Sequence, residues 1–311
     1  MMLSEAIEKY ILWHKSMYHT PSTIDSYRCF LGMFLKWCGD IPVSYVSLSL
    51  IEEYRLSLVT RSLSSATVAT YLRHIKAFFN YLNDFLLEDV KLPSDKIKLP
   101  RTPKKVLKIY TPDEIDIIFR SVPGTGWIVL RNRLIIALML DSGLRQHELT
   151  LIQKKDFSED GKMLLVHGKG NKERYVPVGN ITSVLHNRYL NVLPYSSEYL
   201  LLNRCGDNLT NNAVKLLMSD VRHRAGFEVS SHKLRHNFAT NYIINQYQKE
   251  KSCDIFRLMY LMGHEDIQTT KRYLHFANQL IASQSYISHL DNLSLMTGVL
   301  DLDTKKDLEV L

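Results

Sequence analysis

Four short stretches of the chain hold side chains able to grip or cut a charged substrate. They are Gly143-Leu144-Arg145-Gln146-His147-Glu148-Leu149, the turn-like Gly168-Lys169-Gly170-Asn171, Ser231-His232-Lys233-Leu234-Arg235-His236, and Leu261-Met262-Gly263-His264 leading to Thr269-Thr270-Lys271-Arg272-Tyr273. Arg145 and Glu148 stand three apart and share a face if their segment is helical, so the arginine is either half of a buried ion pair or a tool for an anion. Gly168-Lys169-Gly170 resembles a phosphate-cradling loop, but the G-x-x-x-x-G-K-[ST] spacing is missing, which leaves a tight hairpin turn and no nucleotide cofactor. His232 and His236 have the i, i+4 spacing of zinc ligands, yet Lys233 replaces the glutamate of H-E-x-x-H and no cysteine is near in sequence, so no metal is expected. His264 taken alone reads as a helix-end cap. Taken one at a time, the four stretches fit a structural role as well as a chemical one.

The elements that must position these groups are mostly helical. Thr20-Pro21 offers a helix start, and Ile24, Tyr27, Leu31, Phe34, Leu35 and Cys38 recur at helical spacing before Gly39-Asp40. After Ser64-Ser65 a second run places Val68, Leu72, Ile75, Phe79 and Leu82 on one face, with Arg73 and Lys76 off it. Residues 1–90 therefore read as a compact domain of four or five helices. Residues 91–110 carry seven Lys and Arg against one Asp, so most of the chain's net charge of +7 sits there. Pro93, Pro100 and Pro103 make that segment an extended interdomain linker, either merely solvated or laid on phosphates.

Beyond the linker, Thr111-Pro112-Asp113-Glu114 starts a helix and Leu134 to Leu140 is apolar all round, as in a helix buried mid-domain. Residues 156–178 break the pattern, with two turns flanking apolar runs, and read as a small antiparallel sheet. Helical patterns return from Asn211, and residues 291–311 form an acidic tail with five acids against two lysines. The composition, 45% hydrophobic and 23% charged, excludes a disordered chain and a membrane protein alike. The acidic N-terminus and the four scattered cysteines fit a cytoplasmic protein with reduced thiols.

The order of the motifs is more specific than any of them singly. Arg145, then Lys169 24 residues on, then His232-x-x-Arg235, then His264 with Tyr273 nine residues beyond, resembles the tyrosine recombinase (phage integrase) family in its Xer/integrase-like branch. GLRQHEL, GKGNKERYVPV, SHKLRHNFAT and LMGHEDIQTTKRYLH look like its motif boxes, covering residues 111–276, whereas residues 1–90 match in helical character only. The resemblance implies a mainly α fold with a small antiparallel β-sheet: a helical core-binding (SAM-like) domain over 1–90, the basic linker 91–110, a catalytic domain over 111–290 and the tail 291–311. It implies Tyr273 as nucleophile joined to the DNA 3′ end, Arg145 and Arg235 clamping the phosphoryl oxygens, Lys169 as general acid, His232 assisting proton transfer and His264 hydrogen-bonding a non-bridging oxygen. Glu148 orients Arg145, and His236 stays outside the site. Lys98, Arg101, Lys104 and Lys105 of the linker, with Arg73 and Lys76, are the expected DNA contacts.

The implied partners are double-stranded DNA recombination sites bound by a homo-tetramer on two sites, with room for accessory DNA-bending proteins, no cofactor and no membrane. The stretch QYQKEKSCDIF, between Arg235 and His264, is longer than the family spacing and predicts an extended or bent helix pair. Tyr260 and Tyr286 are poorer nucleophiles by spacing. The rival readings are a non-catalytic sequence-specific DNA-binding protein on the same fold and, within the enzymes, a topoisomerase or telomere resolvase. Integration, excision, cointegrate resolution and chromosome-dimer resolution share these residues.

Overall fold

The computed structural model describes residues 1–86, 91–101, 108–168 and 172–285. Among them no helix is long and apolar enough to cross a membrane. The chain divides into two compact units, Met1–Lys105 and Val106–Leu311.

The first unit packs α1 (Leu3–Ser16), α2 (Pro21–Cys38), α3 (Leu48–Thr60) and α4 (Ser65–Phe85) around one core. Helix α4 begins where Ser64 accepts a hydrogen bond from Thr67 N at 3.2 Å, satisfying one of the amides left without a partner at a helix start. Its expected stripe, Val68, Leu72, Ile75, Phe79 and Leu82, is buried, while Arg73 is exposed and Lys76 half-buried. Thr20 caps α2 differently from expectation, since its hydroxyl meets Thr23 Oγ1 at 2.9 Å rather than a backbone amide.

The linker does not begin at residue 91. Leu92 and Ile97 are buried in the first unit's core, and Asn83 ties down the return, its Oδ1 accepting from Leu92 N at 2.8 Å and its Nδ2 donating to Leu92 O at 3.1 Å. Instead of running extended from Pro93, the chain folds back through a 3₁₀ turn at Ser94–Lys96 onto α4; Pro103 lies outside the described residues. At the other end Tyr110 belongs to the second unit's core. Lys98 and Arg101 lie between these anchors and are exposed; Lys104 and Lys105 lie outside the described residues.

The second unit runs α5 (Pro112–Arg120), α6 (Trp127–Asp141), the single turn α7 (Gln146–Leu149), β1 (Met163–His167), β2 (Glu173–Pro177), α8 (Asn180–Val192), α9 (Asn211–Ala225), α10 (Ser231–Glu250), α11 (Ile255–Met262) and α12 (Ile267–Ser285). Thr111 and Glu114 form a reciprocal capping box on α5, with the Glu114 amide 3.2 Å from Thr111 Oγ1 and the Thr111 amide 2.9 Å from Glu114 Oε2. Helix α6, buried from Leu134 to Met139, packs against α8 and α10. Strands β1 and β2 pair antiparallel, with Met163 opposite Pro177 and His167 opposite Glu173. Helix α8 was not among the expected elements. The residues QYQKEKSCDIF extend α10 to Glu250, 20 residues in all, turn at Lys251 in the left-handed conformation (φ 57°) and lead into α11. Asp254 then caps α11 by accepting from Arg257 N at 3.0 Å. The fold is thus mainly α with a small antiparallel sheet. The tail 291–311 and Tyr286 lie outside the described residues.

Candidate active site

The sharp turn after α6 places the first arginine. Gly143 there has φ 64°, and a Cβ on it would collide with the Phe238 ring, so both backbone conformation and packing require glycine. Arg145 follows as the N-cap of α7. Its amide donates to Glu148 Oε2 at 2.8 Å and its Nη1 to Glu148 Oε1 at 2.9 Å, so the pair seen in the sequence exists and its carboxylate is buried.

Helix α10 supplies the next three groups. Ser230 caps it by accepting from Lys233 N at 3.2 Å, and positions 232, 235 and 236 then fall on neighbouring turns. Arg235 is buried, its Nη1 donating to Gly143 O and its Nη2 to Met262 O and, at 3.3 Å, to His264 Nε2. Burial, and then the nearby charge of Arg145, pull the Arg235 pKa down to about 10, so it remains a cation at neutral pH.

The end of α11 joins the parts. Gly263 terminates it in the left-handed conformation (φ 58°), leaving carbonyls at the negative end of the helix dipole. Three successive carbonyls each receive a different guanidinium: Leu261 O from Arg174 Nε at 2.9 Å, Met262 O from Arg235, and Gly263 O from Arg145 Nη2 at 2.6 Å. The chain then passes to His264, whose Nδ1 lies 2.8 Å from the hydroxyl of buried Thr270, and on to Tyr273 in α12. The Tyr273 ring lies parallel to His264 (centroids 6.0 Å apart, 5°) and 4.9 Å from His236. His236 Nε2 in turn lies 2.6 Å from His232 Nε2, with its Nδ1 buried and unpartnered.

Burial sets the protonation pattern of this cluster. It lowers His264 to about 4 and His236 to about 3, helped by surrounding cations, and lowers His232 in the same direction. These imidazoles are neutral proton acceptors at pH 7. Burial also raises the Tyr273 phenol, while Arg235, Arg272 and Arg145 pull against it. For Glu148 burial pushes upward, but the hydrogen bonds and charge of Arg174, then those of Arg145, hold it down to about 2.

Arg145, His232, Arg235, His264 and Tyr273, from stretches far apart in sequence, line one cleft of about 720 Å³ together with the exposed cations Lys215, Arg222 and Arg272. Lys169 lies outside the described residues; nearby Lys172 pairs with Glu265 at 2.8 Å. Arg73, Lys76, Lys98 and Arg101 belong to the first unit. Among the described residues no three His, Cys, Asp or Glu side chains converge as metal ligands would.

Sequence reasoning missed three members of this cluster. Arg174 had a signal: Arg174 and Val176 alternate along β2, with Val178 just past its end, so a charge stands where the strand pattern demands a buried residue. His236 was set aside although it shares a face with His232. Thr270 carried no signal.

Comparison with known proteins places this geometry. The pattern of the phage integrase family matches residues 109–279. Tyrosine recombinase XerA of Thermococcus kodakarensis is 30% identical over 274 residues, covering 87% of this chain and 90% of that protein. Tyrosine recombinase XerC of Lactobacillus leichmannii is 29% identical over 297 residues, covering 91% and 97%. Among solved structures, the XerH site-specific recombinase bound to palindromic difH substrate aligns with a TM-score of 0.69 at 22% identity over 90% of this chain and 83% of that one. A lambda integrase tetramer bound to a Holliday junction aligns at 0.68 and 17% identity over 86% and 78%. The chain belongs to the phage integrase family. It is a tyrosine-type site-specific recombinase.

Proposed function

We propose that the chain cuts and rejoins duplex DNA at a specific site through a covalent 3′-phosphotyrosyl intermediate formed on Tyr273. The observation that carries this reading is the single cleft in which Tyr273 meets two arginines and neutral histidines. Tyr273 Oη attacks the scissile phosphorus, a Tyr–P bond forms and the P–O5′ bond breaks. The phenol proton passes to His232, and Lys169 protonates the departing 5′ oxygen. Attack raises the negative charge on the phosphoryl oxygens, and Arg145 and Arg235 answer it with donors fixed before reaction. Arg145 has two side-chain bonds to protein and Arg235 three, which leaves guanidinium N–H groups on both for phosphate. In this structure His264 Nε2 accepts from Arg235 Nη2; with phosphate bound, that N–H of Arg235 turns to a phosphoryl oxygen and the Thr270 hydroxyl donates to His264 Nδ1, so that Nε2 carries the proton for a non-bridging oxygen.

The first unit acts as the core-binding domain, with Arg73, Lys76 and the basic segment holding Lys98, Arg101, Lys104 and Lys105 laid on backbone phosphates. A homo-tetramer on two DNA sites carries out strand exchange in the cytoplasm, for integration and excision or for resolution of a mobile element or replicon.

The test is to express the chain, denature the lysate and sequence the DNA that stays covalently attached to it. A nicked synthetic duplex of the recovered site then traps the intermediate, because the short downstream strand diffuses away before religation. Adduct formation with the parent chain and none with Tyr273→Phe is the expected result. Adduct in the Tyr273→Phe variant would place the nucleophile elsewhere.

A further inference from the structure

Glu148 sits between two arginines, and they treat it differently. Arg174 Nη1 and Nη2 donate to Oε1 and Oε2 at 2.9 and 2.8 Å, a parallel two-bond pairing. Arg145 adds one bond to each oxygen, from Nη1 and from its own amide. The third Arg174 bond, from Nε, goes to Leu261 O, and its side chain is only 6% exposed. Arg145 has a side chain 31% exposed and lines the cleft that holds Tyr273, whereas Arg174 does not line that cleft. Gly263 allows both guanidinium groups to lie against its backbone, since a Cβ there would stand 2.9 Å from Arg174 Nη1 and 3.0 Å from Arg145 Nη1.

The charge arithmetic of this arrangement matters for catalysis. A carboxylate that orients an arginine also cancels its charge, which would weaken the grip of Arg145 on a phosphate. With Arg174 present, the Glu148 charge has a second and better-aligned partner. Arg145, Arg174, Arg235 and Glu148 together then keep two net positive charges beside the cleft, against a phosphoryl group whose charge grows from one to two as the tyrosine attacks.

We propose that Arg174 is a positioning residue of the cleavage reaction: it takes up the charge of Glu148, so that Arg145 is aimed by the carboxylate without being neutralised by it. The proposal rests on the assignment of Arg145 to the scissile phosphate. A residue that only bolted β2 to the end of α11 would occupy the same place, and the two roles separate by experiment, because masking is needed only while Glu148 is charged.

The probe is the nicked duplex described above, and three quantities are read: the rate of adduct formation, the affinity for that duplex, and the thermal melt. Arg174→Met is expected to lower the adduct rate by about 10²-fold with affinity within about threefold of the parent, the scale of losing one transition-state donor. Arg174→Met combined with Glu148→Gln removes both charges at once and is expected to recover to within about tenfold of the parent, since an isolated buried charge no longer remains. Arg174→Lys keeps the charge but not the two-bond fork or the Nε bond, and should fall between the parent and Arg174→Met.

Arg174→Met cleaving within threefold of the parent overturns the proposal. So does a double variant that melts like the parent yet cleaves as slowly as Arg174→Met, for then the role is mechanical. If Arg174→Met gives no cooperative melt, the double variant decides alone: folded and fast supports masking, folded and slow refutes it. Adduct surviving Tyr273→Phe would overturn only the nucleophile assignment, because the Arg174 series is read on adduct rate whichever side chain forms the bond.

Discussion

Helices α4 and α10 are nearly equal in length, 21 and 20 residues, and bury opposite kinds of surface. Helix α4 turns Val68, Leu72, Ile75, Phe78, Phe79 and Leu82 inward, and its cations Arg73 and Lys76 stand off that face. Helix α10 buries Arg235, His236, Asn237 and Thr240 beside Leu234, Phe238 and Ile243. Burying a polar group is unfavourable unless it is hydrogen-bonded, and a charge more so. On α10 the partners are present for all but His236 Nδ1: Gly143 and Met262 carbonyls for Arg235, His232 for His236 Nε2, and for Asn237 the Tyr110 amide, which donates to its Oδ1 at 2.8 Å. A helix with such an inner face does more than pack. It fixes acceptors and donors where the cleft needs them, and one turn before Asn237 Lys233 lies 4.3 Å over the ring of Tyr110, at the entry to the second unit.

The sharpest test of this contrast is Tyr273→Phe, which faces α10 through His236. It removes one hydroxyl that makes no hydrogen bond among the described residues, so covalent adduct should vanish while the thermal melt and duplex affinity stay near those of the parent. A variant that unfolds or loses DNA would mean that the tyrosine is structural.

Next in size, the two inner faces should fail in different ways. Arg235→Ala on α10 should slow adduct formation by about 10²–10³-fold, as expected for losing a transition-state donor. Phe79→Ala on α4 should instead lower stability by about 3–5 kcal/mol through reduced burial and a cavity. Single-turnover adduct rates and denaturant melts separate them. If Phe79→Ala slowed the chemistry of the folded protein as much as Arg235→Ala, the division between a packing helix and a reacting helix would collapse.

The contrast also explains what could be read beforehand. Val68 to Leu82 obey one periodic rule, so α4 was legible locally. Arg145, His232, Arg235, His264 and Tyr273 were legible only as an ordered set, because each alone fits a bland structural role. Arg174 was half legible: the β2 alternation marks it as buried, but its partner Glu148 lies 26 residues away on another element, a non-local pairing that no periodicity encodes. The path of residues 91–97 was hidden for the same reason: Asn83 and the core it closes decide it, while the local prolines and lysines suggest an open strand.

A smaller effect is expected from the outer face of α4. Replacing Arg73, Lys76, Lys98 and Arg101 with Gln should weaken binding to all duplexes and flatten the salt dependence of affinity by up to about 0.9 for each phosphate no longer neutralised. Affinity measured across a salt series, on specific and unrelated duplexes, reads this directly. An unchanged slope would make these cations solvated surface, and the α4 outer face would then have no part in DNA binding.

The smallest difference should appear in acid. His264 and His236 are lowered by burial to about 4 and about 3, and His232 is lowered as well. An unfolded histidine takes up its proton near pH 6.5, so as pH falls below that value the unfolded chain binds protons the folded one refuses. The stability of the second unit is therefore fully present above about pH 6.5 and declines toward pH 4. The contribution of Glu148, lowered to about 2, is lost only below its ordinary value of 4.5. The first unit has one buried histidine lowered in this way, His14. Hydrogen exchange of peptides from α10 should lose protection more steeply between pH 6.5 and 4 than peptides from α4. His236→Asn, which cannot titrate, should recover about 1–2 kcal/mol of that loss at pH 5. Equal slopes in the two helices, or no gain from His236→Asn, would mean that the imidazoles of the cleft take up protons in the folded protein as readily as in the unfolded chain, and burial would not then be what keeps them neutral.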